Sequence, residues 1–308
     1  AIKTNGTIYI QDGVYEICGY IRRSVKIIGK PFHTLSAHLT RKSCDNKAAL
    51  VINAPSVTLE NLEISRIRVK DNNGACLRVE GKTKNLIIKN INCHDSQAGL
   101  ISNTQTGNIL LKDSLFERNG FNNGGIHNVS INSQGQINII NTKILSTREK
   151  GHSLQINAPK MLIDNSIIAA LDGPNSRAID NLIGGELTIR NSTIQQSRHS
   201  DNNEMIGFAL GHESTLLNKQ SITLKNNWLI FDRPTNLLSY ITRKTNRLLK
   251  SNSVTHLKLF ANTMVGMDSL GSNNVTQENN QNFKSREAAE LADYDGRLLS
   301  VPILLSAQ

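Results

Sequence analysis

Aromatic side chains are scarce in this chain, with one Trp, five Tyr and seven Phe making 4% of 308 residues. That argues against single-stranded nucleic acid as a partner, because such surfaces interleave basic residues with stacking rings. No apolar run is long enough to span a membrane, and nothing resembles a signal peptide. The chain begins at Ala1 without Met, which reads either as a processed terminus or as a recombinant start. If a signal was removed, the protein is exported, either secreted or periplasmic. Cysteine is sparse too: Cys18, Cys44, Cys76 and Cys93 all fall in the first third. They permit three pairings and show no zinc-like spacing, so buried thiols are the default and disulfides the alternative.

Carboxylates are outnumbered. Against 35 Lys and Arg stand 25 Asp and Glu, a formal charge of +10 and a pI near 9.5. The excess favours an anionic partner, an acidic polysaccharide before nucleic acid or anionic lipid, unless it only keeps the surface soluble.

What the chain has in abundance is a returning phrase. Val57-Thr-Leu-Glu-Asn61 reappears as strands ending in Asn90, Asp113, Asn141, Asn165, Asn191 and Asn226, and more loosely in Lys258-Leu-Phe-Ala-Asn262. The steps are 29, 23, 28, 24 and 26 residues, then 35 and 36. Alternation of apolar and variable positions over five residues reads as a strand. A second strand-like run precedes each phrase, as in Cys76-Leu-Arg-Val-Glu80 and Ser153-Leu-Gln-Ile-Asn157. Strand, turn, strand, turn without helix is the signature of a solenoid. The expected fold is therefore all-β, a single-stranded right-handed parallel β-helix of roughly nine to eleven coils. The closing Asn suits a left-handed bend, and stacked amides can bond along the axis.

Residues 1–45 read as opening coils or a cap, 46–265 as the coil stack, and 266–308 as a tail or cap with a short helix N-capped by Ser285. Longer spacing near 198–220 and 231–256 predicts projecting loops, and the basic run from Arg243 to Lys250 reads as a solvated edge.

With the coils aligned, the whole chain resembles the bacterial right-handed parallel β-helix repeat family of the pectate-lyase-like superfamily. The matching segments include Glu60-Asn-Leu-Glu-Ile64, Asp71 with Asn73-Gly74-Ala75, Arg78, His94-Asp95, Asn119-Gly120, His127-Asn128, Lys150-Gly151-His152, Asp180 with Gly184-Gly185, and Asp293-Tyr-Asp-Gly-Arg297. The resemblance implies lyase, hydrolase or epimerase action on uronic-acid polysaccharides. The chain departs from that pattern at Ser130, Gln155 and Asn157, and at Arg177-Ala178, where relatives carry aromatic, basic or acidic groups.

The coil register makes Arg78, Ile101, Ser130, Gln155 and Asp180 one outward column. Two residues before the inward row stand Ala75, Ala98, His127, His152 and Arg177. The candidate catalytic set is thus His127 or His152 as base, Arg177 as carboxylate clamp and Asp180 to orient a histidine. Arg78, Asn128, Ser130, Lys150, Gln155, Asn157, Asp71, His94 and Asp95 are candidates for binding substrate. The alternative is a stack of histidines hydrogen-bonded to turn backbone, in a non-catalytic carbohydrate-binding or structural β-helix or an exported interaction factor. Asp180 lacks an obvious second carboxylate for hydrolysis. No cofactor or metal is expected, although Asp201-Asn-Asn-Glu204 is a candidate Ca2+ loop. The expected partner is an acidic polysaccharide bound by a monomer.

Overall fold

A computed structural model describes residues 5–30, 37–234, 245–253 and 255–292. The strands form a right-handed parallel β-helix. One sheet has 20 strands and the other has nine, so nine coils are complete among the described residues. The larger sheet bends into two ladders, because Ser56–Ser65 and Asn85–His94 each run through the bend as one strand. The first ladder holds the phrase strands, such as Asn108–Lys112, Gln136–Ile140 and Lys160–Asp164. The second holds short strands such as Leu115–Glu117, Lys143–Leu145 and Ile167–Ala169. The nine-stranded sheet is the third ladder and includes Ala75–Val79, Ala98–Ser102, Val129–Asn132, Leu154–Asn157, Ile179–Asp180 and Glu204–Phe208.

Alternation places one aliphatic row from each ladder inside. Leu86, Ile109, Ile137, Met161, Leu187 and Ile222 stack in one row, all at most 1% exposed. A fully buried side chain of this size contributes about 1.5–3 kcal/mol, and the rows repeat that gain at every coil. Ring-free residues suit a narrow column, which accounts for the few aromatics.

The first bend is made by the phrase's last residue. Asn61, Asn90, Asp113, Asn141, Asn165, Asn191 and Asn226 all have φ between 47° and 59°, a conformation that Asn and Asp tolerate best after Gly. Their side chains join neighbouring coils, as in Asn90 Nδ2 to Asn61 Oδ1 at 2.8 Å and Asn226 Nδ2 to Asn191 Oδ1 at 2.9 Å. The loose last copy is offset by one residue. Ala261 takes the left-handed position (φ 52°), and Asn262 turns inward to bond Asn227.

Other details differ from expectation. In the region read as opening coils Gly6–Ile10 pairs with Val25–Gly29, and in the region read as tail or cap Gln281–Phe283 still pairs with Thr263–Val265. Part of the basic run is not an edge loop but the strand Arg247–Ser251, with Leu248 and Leu249 buried. The C-terminal helix is a single 3-10 turn, Glu287–Ala289, with Ser285 Oγ accepting from the Ala288 N–H at 3.2 Å. Asp293–Arg297 lies outside the described residues. All four cysteines are paired, Cys18 with Cys44 and Cys76 with Cys93, rather than free. The reason in the second case is the coil path, which turns both fully buried side chains into the same stretch of core.

Candidate functional site

In the third ladder, pairing aligns Leu77, Leu100, Val129, Leu154 and Ile179, and with them Arg78, Ile101, Ser130, Gln155 and Asp180. His127, His152 and Arg177 follow one another on successive coils just before those strands. Their rings and heads converge. The His127 and His152 ring centroids are 4.8 Å apart, and His152 Nε2 is 3.6 Å from Asp180 Oδ2. Arg177 Nη1 donates to Asp180 Oδ1 at 2.9 Å, and its Nη2 reaches Glu204 Oε2 at 3.5 Å.

The set is a closed stack, not an open groove. Arg177 is 9% exposed, Asp180 3% and Glu204 6%. The backbone N–H of His152 donates to His127 Nδ1 at 3.1 Å, and that of Arg177 donates to His152 Nδ1 at 3.2 Å. Burial first, then the neighbouring His152 charge, pushes His127 down to about 4; burial and then Arg177 push His152 down to about 4. Both rings are therefore neutral at pH 7. With Nδ1 accepting, each carries its hydrogen on Nε2. Burial raises the Asp180 carboxyl, against the pull of Arg177.

The remaining candidates divide. Ser130 Oγ donates to Gln155 Oε1 at 2.8 Å, both half-buried beside the stack. Asn128, expected at the binding surface, is interior instead. Its Nδ2 donates to the Phe116 and Leu145 carbonyls, because its position is the inward corner shared with Cys76 and Ser153. Asn157 is also buried, held between Asn132 Oδ1 and the Leu182 N–H. Lys150 is exposed and pairs with Asp201 at 3.4 Å. The candidate Ca2+ loop is committed elsewhere, with Asn202 and Glu204 both on Arg177. Arg78 donates to the Asn73 carbonyl at 2.9 Å and lies in the third ladder near exposed Asp71. His94 and Asp95 sit apart from these two, at the end of the second ladder.

That second bend carries what sequence reasoning missed. Pairing of Thr40, Ser65, His94, Glu117 and Leu145 makes Arg41, Arg66, Asp95, Arg118 and Ser146 the next residues of one column. All five have φ between 49° and 58°. Asp95 accepts from Arg118 Nε and Nη2 at 3.0 Å each, and from Arg148 at 3.4 Å. The Arg118 guanidinium, with His94 Nδ1 at 2.7 Å, holds the Asp95 carboxyl far below the usual range. Exposed Arg41, Arg66, Arg68 and Arg148 line a groove of about 460 Å³ with Asp95 as its one carboxylate. The only signal for it was the strand after each Asn bend, whose end sets the second turn.

No family model matches the sequence, and no curated protein does. The fold is similar to solved structures. For the pectate lyase Pel9A, identity is 11%, coverage 94% of this chain and 74% of that one, and the TM-score 0.55. The A-module of the Azotobacter vinelandii mannuronan C-5 epimerase AlgE6 is 14% identical, over 90% of this chain and 91% of that one, with TM-score 0.47. The Streptococcus pneumoniae surface protein and adhesin PfbA is 10% identical, over 91% and 89%, with TM-score 0.46. At these identities the likeness is one of fold. No helix among the described residues is long and apolar enough to cross a membrane.

Proposed function

We propose that this chain binds an acidic, uronic-acid polysaccharide along its second bend, as a carbohydrate-binding β-helix whose histidine stack serves the scaffold. The observation that carries this reading is the arginine column. At the first bend, every left-handed position from residue 61 to 226 is Asn or Asp. At the second, two of five are Arg41 and Arg66, a third is Arg118, and Asp95 is tied to that arginine. A side chain without the local hydrogen bonding of Asn costs on the order of 1 kcal/mol there, and strain of this kind concentrates where function demands a residue. Consecutive coils are about 4.8 Å apart, so Arg41 and Arg66 stand on adjacent coils, with Arg68 and Arg148 exposed beside the same groove. Arg118 is held by Asp95 and Glu117, and Arg41 also reaches Glu16 at 3.2 Å. Guanidinium forks match carboxylates in shape as well as in charge.

The stack of His127, His152, Arg177 and Asp180 is a poor centre for elimination or epimerisation. That chemistry needs a free lone pair on the base and an uncommitted cation for the uronate. Here both Nδ1 lone pairs accept from backbone, and Arg177 is spread over Asp180 and Glu204. The two disulfides fit a chain that matures in an oxidising compartment outside the cytosol.

Titration calorimetry with polygalacturonate and alginate oligomers tests the reading, alongside ultraviolet absorbance for unsaturated product. Binding is expected to weaken with salt. It should fall at least about tenfold in Arg66→Ala/Arg68→Ala/Arg148→Ala, since contacts to charged groups are worth about 1.5–3 kcal/mol each. His127→Gln should bind as the parent does, and no product should form. Affinity untouched by the triple substitution would sink the proposal, as would a product that disappears in His127→Gln.

A further inference from the structure

One cluster on the outer face of the second ladder is separate from the arginines that carry the proposed binding and meets their groove through the His94–Asp95 contact. His38 and Glu63 are register partners, and His94 follows two residues beyond the partner of Glu63 on the next coil. His38 Nδ1 is 3.4 Å from Glu63 Oε1, and His94 Nε2 is 3.2 Å from the same oxygen. All three donor atoms lie within 4.8 Å of one another. We propose that His38, Glu63 and His94 form a three-ligand site for a zinc-class divalent cation, with a fourth position open to solvent.

The size fits. A tetrahedral ion with ligands at 2.0–2.1 Å sets neighbouring donors about 3.3 Å apart, and two of the three edges are already 3.2 and 3.4 Å. Two imidazoles and one carboxylate are the donor set of many three-ligand zinc sites. The side chains are 18%, 28% and 14% exposed, so the site is held by the sheet yet reachable from solvent.

The outer shell supplies a second, independent argument. Each histidine turns its other nitrogen to a fixed partner: His94 Nδ1 is 2.7 Å from Asp95 Oδ2, and His38 Nε2 is 2.8 Å from Ser65 Oγ. Such partners fix the tautomer of metal-bound histidines. Asp95, clamped by Arg118, is an acceptor only. His94 thus presents Nδ1 to Asp95 and Nε2 to Glu63 Oε1 at 3.2 Å, so the ring is held with Nε2 directed at the other two donors. Asn92, the register partner of Glu63 on the next coil, also keeps its Oδ1 buried with no hydrogen-bond partner.

The full chain, stripped with chelator and dialysed, is titrated with Zn2+ by calorimetry and with Co2+ by visible absorption. The expected result is one ion per chain, with cobalt bands of four- or five-coordinate nitrogen and oxygen ligation. Affinity should drop at least about a hundredfold in His38→Ala and in His94→Ala, and about tenfold in Glu63→Gln, with circular dichroism unchanged. Asp95→Asn, outside the coordination sphere, should weaken binding by about tenfold and leave the stoichiometry at one, the size expected of such a partner. If a variant fails to fold, pH-dependent proton release on Zn2+ addition to the parent reads the same ligands. No uptake of either ion would overturn the proposal, because the cluster would then be held by protons. Uptake unchanged in both histidine variants would overturn it too. Neither result bears on polysaccharide binding, which rests on the arginines.

Discussion

At the scale of single residues, the histidine stack has a consequence that does not depend on any ligand. His127 and His152 take up protons near pH 6.5 when unfolded but only near about 4 in the fold. Between those limits the unfolded chain binds more protons, so stability is complete above pH 6.5 and is lost as pH falls towards 4. Each tenfold loss of proton affinity on folding is worth about 1.36 kcal/mol, so the pair can contribute a few kcal/mol. The raised Asp180 carboxyl works in the opposite sense and offsets part of the loss. Denaturant midpoints measured from pH 8 to pH 4 should therefore decline in the parent and decline less in His127→Gln/His152→Gln. Parallel slopes would show that the two rings are solvated and that the stack is open.

At the scale of elements, the third ladder buries a charge relay rather than an apolar seam. Arg177 and Asp180 come from one strand and its lip and Glu204 from the strand on the next coil, and each is less than a tenth exposed. Removing only the cation leaves two buried carboxylates without compensation, which costs about 3–5 kcal/mol. Arg177→Met should thus be far more disruptive than Arg177→Met/Asp180→Asn/Glu204→Gln, in which no charge remains. Equal losses of midpoint in the two proteins would place the effect in packing and not in charge. The ladder itself was legible in sequence, because inward Leu and Val recur at a countable interval and fix the register that brings His127, His152, Arg177 and Asp180 together. Burial was not legible: the same period gives Asn128 an outward reading, whereas the corner before each third-ladder strand turns it inward. The second bend was hidden for another reason. Beyond the Asn bend its strand segments run for only three or four residues, as in Leu115–Glu117, Lys143–Leu145 and Ala37–Thr40, too short for alternation to be seen. Thus Arg41, Arg66 and Arg118 could not be aligned, nor could His38 with Glu63.

For the whole molecule, the two covalent links and the long axis make stability uneven along the chain. Each coil touches only its neighbours, so a solenoid's stability is close to a sum of coil and interface contributions. Both disulfides lie in the first third, spanning sequence separations of 26 and 17 residues. In the chain-entropy account, closing loops of this size contributes roughly 3 kcal/mol each. That support is local: the coils after Val129 hold their aliphatic rows without it. The same first third carries Arg41, Arg66, His38, Glu63 and His94, so the proposed binding surfaces depend on the covalently fastened end. Reduction should accordingly open the N-terminal coils before the rest. Hydrogen exchange with and without reductant is the direct measurement. Amides of Gly19–Ile21, Ala37–Thr40 and Ala75–Val79 should lose protection, while those of Leu154–Asn157 and Gln220–Lys225 keep theirs. Uniform loss along the axis would mean that the stack unfolds as one cooperative block, and unchanged protection near Cys44 and Cys93 would mean that burial alone holds those coils.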